Sequence, residues 1–193
     1  KYIDRLAGIK MNVLHLHLTD DQGWRVEIKK YPELTRISSN FDAAYPDEVN
    51  GFYSQEDIRE IVAYASENFI TVVPEIEMPG HSREVFASYP ELSCEGKRTS
   101  IFPFFKGPGI TEEILCAGND SVYTFLEDVL TEVMELFPSR FIHIGGDEAP
   151  KSKWEKCPKC QARITAQGLK DETELQSSFT SRIEEFIRSR GRT

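Results

Sequence analysis

The 193-residue sequence is poor in cysteine and in positive charge, and it lacks long apolar runs. No stretch approaches the ~18 consecutive apolar residues that a membrane span requires. No secretory leader stands at its start. The chain begins at Lys1 without an initiator Met, so it reads as cut, processed or truncated, and localisation signals can be missing from it. Acidic side chains outnumber basic ones, 32 to 23, for a formal charge of −9. That balance argues against non-specific nucleic-acid binding and against an anionic membrane surface. No internal repeat or low-complexity tract is present. With 39% hydrophobic and 28% charged residues, the composition is that of an ordinary folded domain. The length suits one domain, at most two, and allows a substantial core.

The four cysteines are Cys94, Cys116, Cys157 and Cys160. Only Cys157-Pro158-Lys159-Cys160 has metal-like or redox-like spacing. A zinc ribbon requires a second such pair, and the sequence has none, so the pair reads as two plain thiols, with a structural zinc as the lesser alternative. Cys94 and Cys116 flank a loop and are candidates for a disulfide in an oxidising compartment.

Helix-like and strand-like segments alternate. Residues 2–10 read as the end of a helix, with Ile3, Leu6 and Ala7 on one face. Residues 12–18 read as a strand, with Val13, His15 and His17 on one side and Leu14, Leu16 and Leu18 on the other. Both faces look buried, as in a parallel sheet. Ser54 and Asp57 form a capping box for a helix to about Asn68, with Ile58, Ile61, Val62 and Ala65 along its stripe. Residues 69–73 are a β-branched strand, and Pro74 marks where pairing should weaken. A cap at Asn119–Ser121 opens a helix carrying Val122, Leu126, Val129, Val133 and Leu136, which Pro138 stops. Residues 141–144 are a third strand, ending in Gly145-Gly146. A last helix is predicted from about Glu172 to Arg190, with Leu175, Phe179, Ile183, Phe186 and Ile187 inside. This αβαβαβα order implies right-handed crossovers and a parallel sheet. The connections 19–53 and 74–118 are long, as functional loops often are.

In α/β folds, chemistry gathers at the carboxyl ends of the strands. Here those ends are Thr19-Asp20-Asp21-Gln22-Gly23-Trp24-Arg25, Pro74-Glu75-Ile76-Glu77-Met78-Pro79-Gly80-His81-Ser82 and His143-Ile144-Gly145-Gly146-Asp147-Glu148. Asp147-Glu148 is the sharpest signal. After two glycines the alternation of a strand relaxes, and both carboxylates can serve one pocket. A protonated acid beside an ionised one is what acid-catalysed cleavage requires. The competing reading is a solvated acidic turn. Asp20-Asp21 alone is weak, since such pairs also cap turns. His81 follows a Pro-Gly turn and is either aimed at a site or structural. Trp24 is a sugar-stacking platform or core, and spacing alone favours core. A rival reading makes His15 and His17 zinc ligands completed by His143 and Asp147. Against it, both histidines lie deep in the sheet, where satisfied core histidines are common.

Taken together, and in order, the segments 10–25, 74–82 and 143–148 resemble the catalytic domain of the family 20 glycoside hydrolases, the β-N-acetylhexosaminidases. The resemblance spans nearly the whole chain, and the Cys157–Cys160 segment also resembles bacterial members. It implies an α/β fold, an incomplete (β/α)8 TIM barrel. Residues 1–193 would be a partial catalytic domain, about half of the barrel, with strands 2 to 4 and their flanking helices. It implies substrate-assisted retention, an exception to the two-carboxylate rule. Asp147 would orient the substrate's acetamido group and offset its developing positive charge. Glu148 would be acid and then base. Asp20 and His81 would form a buried relay to Glu148. Asp147, Glu148, Asp20, His81 and Trp24 would contact or frame the sugar. No cofactor or metal is implied. The implied partner is a glycan with a terminal N-acetylhexosamine, and the implied location is periplasmic or extracellular. Two positions depart from the pattern: Leu16, where many relatives have Trp, and Glu77, where Asp is frequent. The chain is accordingly read as a fragment of a longer enzyme, with an Arg-bearing strand expected upstream and aromatic-rich strands downstream. Alternatives are self-association through open sheet edges, a smaller open α/β sandwich, and an inactive scaffold or weak amino-sugar binder.

Overall fold

In the computed structural model, the residues described are 1–41, 50–103 and 111–193. The chain runs α1 (Tyr2–Gly8), β1 (Val13–His17), β2 (Thr19–Asp20), β3 (Gly23–Trp24), α2 (Glu33–Arg36), α3 (Gln55–Glu67) and β4 (Thr71–Glu75). It continues through α4 (Arg83–Ser88), a 3-10 turn (Pro90–Leu92), α5 (Asp120–Leu136), α6 (Ser152–Lys156), α7 (Pro158–Gln167) and α8 (Glu172–Ser189).

The long helices begin where their caps dictate. Ser54 Oγ accepts from the Asp57 amide, and the Asp57 carboxylate accepts from the Ser54 amide at 2.8 Å, closing the box at α3. Asn119 caps α5 through the Ser121 amide, and Asp171 caps α8 through the amides of Thr173 and Glu174. Their apolar stripes turn inward: Ile58 and Ala65, then Val122, Leu126, Val129 and Val133, then Leu175, Phe179 and Ile183 are all buried. Aromatic rings tie the layers together, with Phe125 edge-on to both Tyr31 and Trp24.

β1 and β4 pair in parallel, from Val13 opposite Thr71 to His17 opposite Glu75. β4 therefore starts and ends two residues later than the pattern suggests. Phe69 is exposed in a left-handed turn, and the ladder passes through Pro74. Proline lacks an N–H but keeps its carbonyl, which accepts from the His143 amide at 3.0 Å. The expected third strand is reduced to one parallel bridge, Glu75 opposite His143, because Gly145 and Gly146 turn the chain away at positive φ. The outer side of this segment meets Thr193, whose carbonyl accepts from Ile142 and whose amide donates to Arg140.

Other expectations are corrected. The face carrying Val13, His15 and His17 is not buried: all three are exposed, because no described layer covers it. His15 and His17 are therefore not core histidines. The connection 19–53 holds the β2–β3 hairpin and α2, and the stretch after residue 148 holds α6 and α7. Cys94 and Cys116 are free thiols, not a disulfide. Nor are Cys157 and Cys160 a lone pair: folding brings all four cysteines together, a second pair supplied by distant chain rather than by a second Cys-x-x-Cys.

Candidate active site

Three chain segments deliver the site. Asp20 closes β2, and its Oδ1 accepts from the Asp21 amide at 2.6 Å. Asp21 is buried and accepts from the Arg83 amide and from Thr111 Oγ1, each at 3.0 Å. It thereby pins the connection after β4 to the hairpin. His81 sits in the turn before α4, and a Cβ at neighbouring Gly80 would lie 3.2 Å from Ala149 Cα. The turn thus rests directly on the chain just beyond Glu148. Both His81 and Glu148 adopt positive φ, 47° and 45°. For side-chain-bearing residues this stores roughly 1–3 kcal/mol each, a cost that clusters at functional sites.

The imidazole of His81 bridges two carboxylates from different segments. Nδ1 is 3.1 Å from Asp20 Oδ1, and Nε2 is 3.5 Å from Glu148 Oε2. His81 is largely buried, at 14% exposure, whereas Glu148 is open at 52%. The carboxylate oxygens of Asp147 and Glu148 and a ring nitrogen of His81 all lie within 4.8 Å of one another. Four of the five residues singled out from sequence therefore meet. The relay they form is buried at its imidazole but open at Glu148.

Charge follows from these contacts. The hydrogen bond to Asp20 outweighs burial, and with the charges of Asp20 and Asp21, joined by that of Glu77 where it is ionised, it pushes His81 up to about 9, so the ring is an imidazolium at neutral pH. Burial opposes ionisation of Asp20, but hydrogen bonds from His81 and the Asp21 amide hold its carboxyl below the usual range. Asp21 is raised by burial and, further, by the charge of Asp20.

The fifth residue, Trp24, is not at the site. It is 1% exposed, its Nε1 donates to the Val26 carbonyl at 2.6 Å, and its ring packs on Phe125. The side-chain alternation of the short β3 strand aims it inward, so it is core rather than a sugar platform. The zinc-ligand set His15, His17, His143 and Asp147 does not form either. His15 groups with Glu75 and His143, His17 with Glu75 and Glu77, and Asp147 with His81 and Glu148.

Sequence reasoning passed over Glu75, and noted Glu77 only as a departure from the family pattern. Glu75 is buried beneath three imidazoles, 2.6 Å from His15 Nε2, 2.8 Å from His143 Nδ1 and 3.4 Å from His17 Nδ1. Burial, then the hydrogen bond and charge of Glu75, then the charge of Asp147 push Glu77 up to about 8. Burial beside the Glu75 carboxylate thus favours the neutral acid form of Glu77. Two acids at an otherwise apolar strand exit, with three histidines on neighbouring segments, were the available signal, since buried carboxylates need partners.

An open acid backed by an anchored imidazole, with a second carboxylate beside it, on an α/β frame, is chemistry suited to general acid–base catalysis of hydrolysis. The chain belongs to glycosyl hydrolase family 20: the sequence model of that family's catalytic domain matches residues 1–193. It is 48% identical to a β-hexosaminidase of Porphyromonas gingivalis over 100% of this chain and 24% of that protein. The crystal structure of β-N-acetylhexosaminidase from Bacteroides fragilis superimposes with a TM-score of 0.87 at 44% identity, covering all of this chain and 36% of the other. An exo-β-N-acetylglucosaminidase from Vibrio harveyi, solved in complex with N-acetylglucosamine, gives 0.84 at 35% identity over 99% of this chain and 31% of its own. The chain thus spans between about a quarter and two fifths of the length of the curated relatives it matches across its whole extent.

Proposed function

We propose that the protein hydrolyses terminal β-linked N-acetylglucosamine or N-acetylgalactosamine from glycans, with the substrate's own acetamido oxygen as nucleophile. The observation that carries this reading is the Asp20–His81–Glu148 chain with Asp147 beside it. Glu148, open to solvent, protonates the glycosidic oxygen as the C1–O bond breaks. The acetamido oxygen bonds to C1 from the opposite face and gives a cyclic oxazolinium. Asp147 accepts from the acetamido N–H and offsets the positive charge, which is greatest near the transition state. The carboxylate left on Glu148 is stabilised by the His81 imidazolium 3.5 Å away. Glu148 then takes a proton from water, which adds to C1 and reopens the ring with net retention.

In this reading residues 1–193 belong to a (β/α)8 barrel, with β1, β4 and the 141–144 segment as consecutive strands, the second to fourth. Support comes from their parallel pairing and from the uncovered face bearing His15 and His17, which in a closed barrel would be its interior. Self-association through open edges is the alternative way to cover that face. We place the protein outside the cytoplasm, where such glycans are met. No described helix is long and apolar enough to cross a membrane.

The test is Glu148→Gln in the full-length protein, assayed on an aryl β-N-acetylglucosaminide. Loss of kcat by roughly 10²–10⁴-fold with substrate still bound is expected for a missing acid–base group. An unchanged rate would return the domain to the scaffold reading. Substrate assistance adds a second requirement: the corresponding 2-hydroxy glucoside, lacking the acetamido group, is inert.

A further inference from the structure

We propose that Cys94, Cys116, Cys157 and Cys160 bind one structural zinc ion. Cys94 Sγ lies 3.9 Å from Cys160 Sγ, and Cys116 Sγ lies 3.7 Å from Cys157 Sγ and 3.8 Å from Cys160 Sγ. All four sulfurs fall within 4.8 Å of one another. A tetrahedron with Zn–S bonds of about 2.3 Å has S···S edges of about 3.8 Å. A disulfide needs about 2.05 Å, and all four residues are free cysteines. A single buried thiol is an ordinary small core residue. Four thiols converging from three separate segments at tetrahedral spacing are not.

The local fold builds this cluster deliberately. The antiparallel bridge between Ser93 and Leu115 joins the segments of Cys94 and Cys116 and puts both residues on one side of it, the Cys116 amide donating to the Leu92 carbonyl at 2.9 Å. Cys157 is the N-cap of α7, Pro158 opens the helix, and Cys160 lies in its first turn. Gly118 lets the two halves meet: a Cβ there would fall 2.4 Å from the Cys160 amide nitrogen. Binding takes four thiols and Zn²⁺ to a tetrathiolate and releases four protons, leaving a net charge of −2 on the cluster and changing no oxidation state. The N-terminus of α7 favours that charge. A cavity of about 150 Å³ lined by Cys94 and Cys157, by Lys156 and Glu112, and by Lys153 paired with Glu95 at 3.1 Å offers the ion a way in. Four sulfur ligands close the coordination shell, so the site is structural rather than catalytic.

Its place in the fold explains its use. Cys94 and Cys116 lie on the connection after β4, and Cys157 and Cys160 lie after Glu148. Between them, the Leu115 amide donates to the Pro79 carbonyl and Trp154 Nε1 donates to the Leu115 carbonyl, both at 2.9 Å. The ion would therefore fasten together the two segments that present His81 and Glu148.

The test starts with metal analysis of the full-length protein purified without added metal. One zinc per chain is expected, with the four thiols unreactive to a thiol reagent until a mercurial displaces the ion. Cobalt exchanged into the site should give the red-region d–d bands and the sulfur-to-cobalt charge-transfer absorption of a tetrahedral thiolate complex. Cys94→Ser, at the least buried ligand, should lose the zinc and lower Tm by ~5 °C or more. Four freely titrating thiols in a metal-free protein, a disulfide found by mass spectrometry, or iron in place of zinc would each overturn the assignment. Because metal content is read on the unaltered protein, a variant that fails to fold does not decide the outcome.

Discussion

Gly145 has no side chain because Glu77 occupies the place where one would be: a Cβ would lie 1.8 Å from Glu77 Oε2. Its φ of 62° adds a second reason for glycine. Gly145→Ala must therefore displace the buried Glu77 carboxyl or reshape the turn that carries Asp147 and Glu148. A loss of stability of about 2 kcal/mol or more is expected from strain and overpacking together. Because Glu148 sits three residues on, kcat/KM on an aryl N-acetylglucosaminide should fall at least ~10-fold. Chemical denaturation and steady-state kinetics on one preparation check both. A variant with wild-type stability and rate would mean the contact is far softer than the geometry states.

Glu77 should leave a mark on stability against pH. Its carboxyl is raised from 4.5 to about 8, so the folded state holds a proton that the unfolded chain releases. The associated stabilisation is fully present below about 4.5 and is lost as the pH climbs to about 8. Glu77→Gln keeps a donor toward Glu75 and nearly the same volume but has no proton to lose. Its Tm should therefore fall less steeply than the wild type's across this window. His81, raised to about 9, also loses its stabilising contribution as pH rises, between its ordinary value and about 9. It is present in both proteins, so the difference between the two curves reports Glu77 together with its effect on the neighbouring Glu75 and His81. Parallel curves would show that Glu77 is ionised at neutral pH after all.

Asp20 is the group that keeps His81 charged, through the 3.1 Å contact with Nδ1. Removing its charge with Asp20→Asn should let the imidazole lose its proton at lower pH. If the imidazolium supports Glu148, the basic limb of kcat/KM, set near 9 by His81, should move acidward. The value of kcat should fall by roughly 10–100-fold, with KM little changed. Asp20 acts through His81 and is a positioning residue, so the moving limb is the informative readout. A lowered Tm with an unmoved pH profile would mark it as merely structural.

Long helices were legible in the sequence because their signals are local. The Ser54–Asp57 box and the stripe through Ile58 and Ala65 lie within thirteen residues, and the structure places α3 where they point. The strand exits were legible as motifs whose joint resemblance to the family, rather than the residues singly, grouped Asp20, His81, Asp147 and Glu148. Features set by distant contacts were not. Whether the His15 and His17 side is covered depends on which layer packs there, not on residues 12–18. The four cysteines become a cluster only through the Ser93–Leu115 bridge and the approach of Gly118 to α7. Short helices fell between: α7 carries Pro158 at its start and Gly168 in left-handed conformation at its end. That pairing is a readable boundary signal, but its ten residues lack a long apolar stripe.

Trp24 separates packing from binding in a single experiment. An indole that stacked on sugar would raise KM when replaced and leave the fold intact. The indole found here is 1% exposed, edge-on to Phe125 with centroids 6.3 Å apart, and donates to the Val26 carbonyl. Trp24→Phe removes that hydrogen bond and leaves an unfilled volume beside Phe125, a combined loss of about 2–4 kcal/mol. Denaturant unfolding should show that loss, while KM for an aryl N-acetylglucosaminide stays within about twofold at a temperature where the variant is folded. A rise in KM at unchanged stability would restore Trp24 to the sugar site and require the hairpin of β2 and β3 to open when substrate arrives.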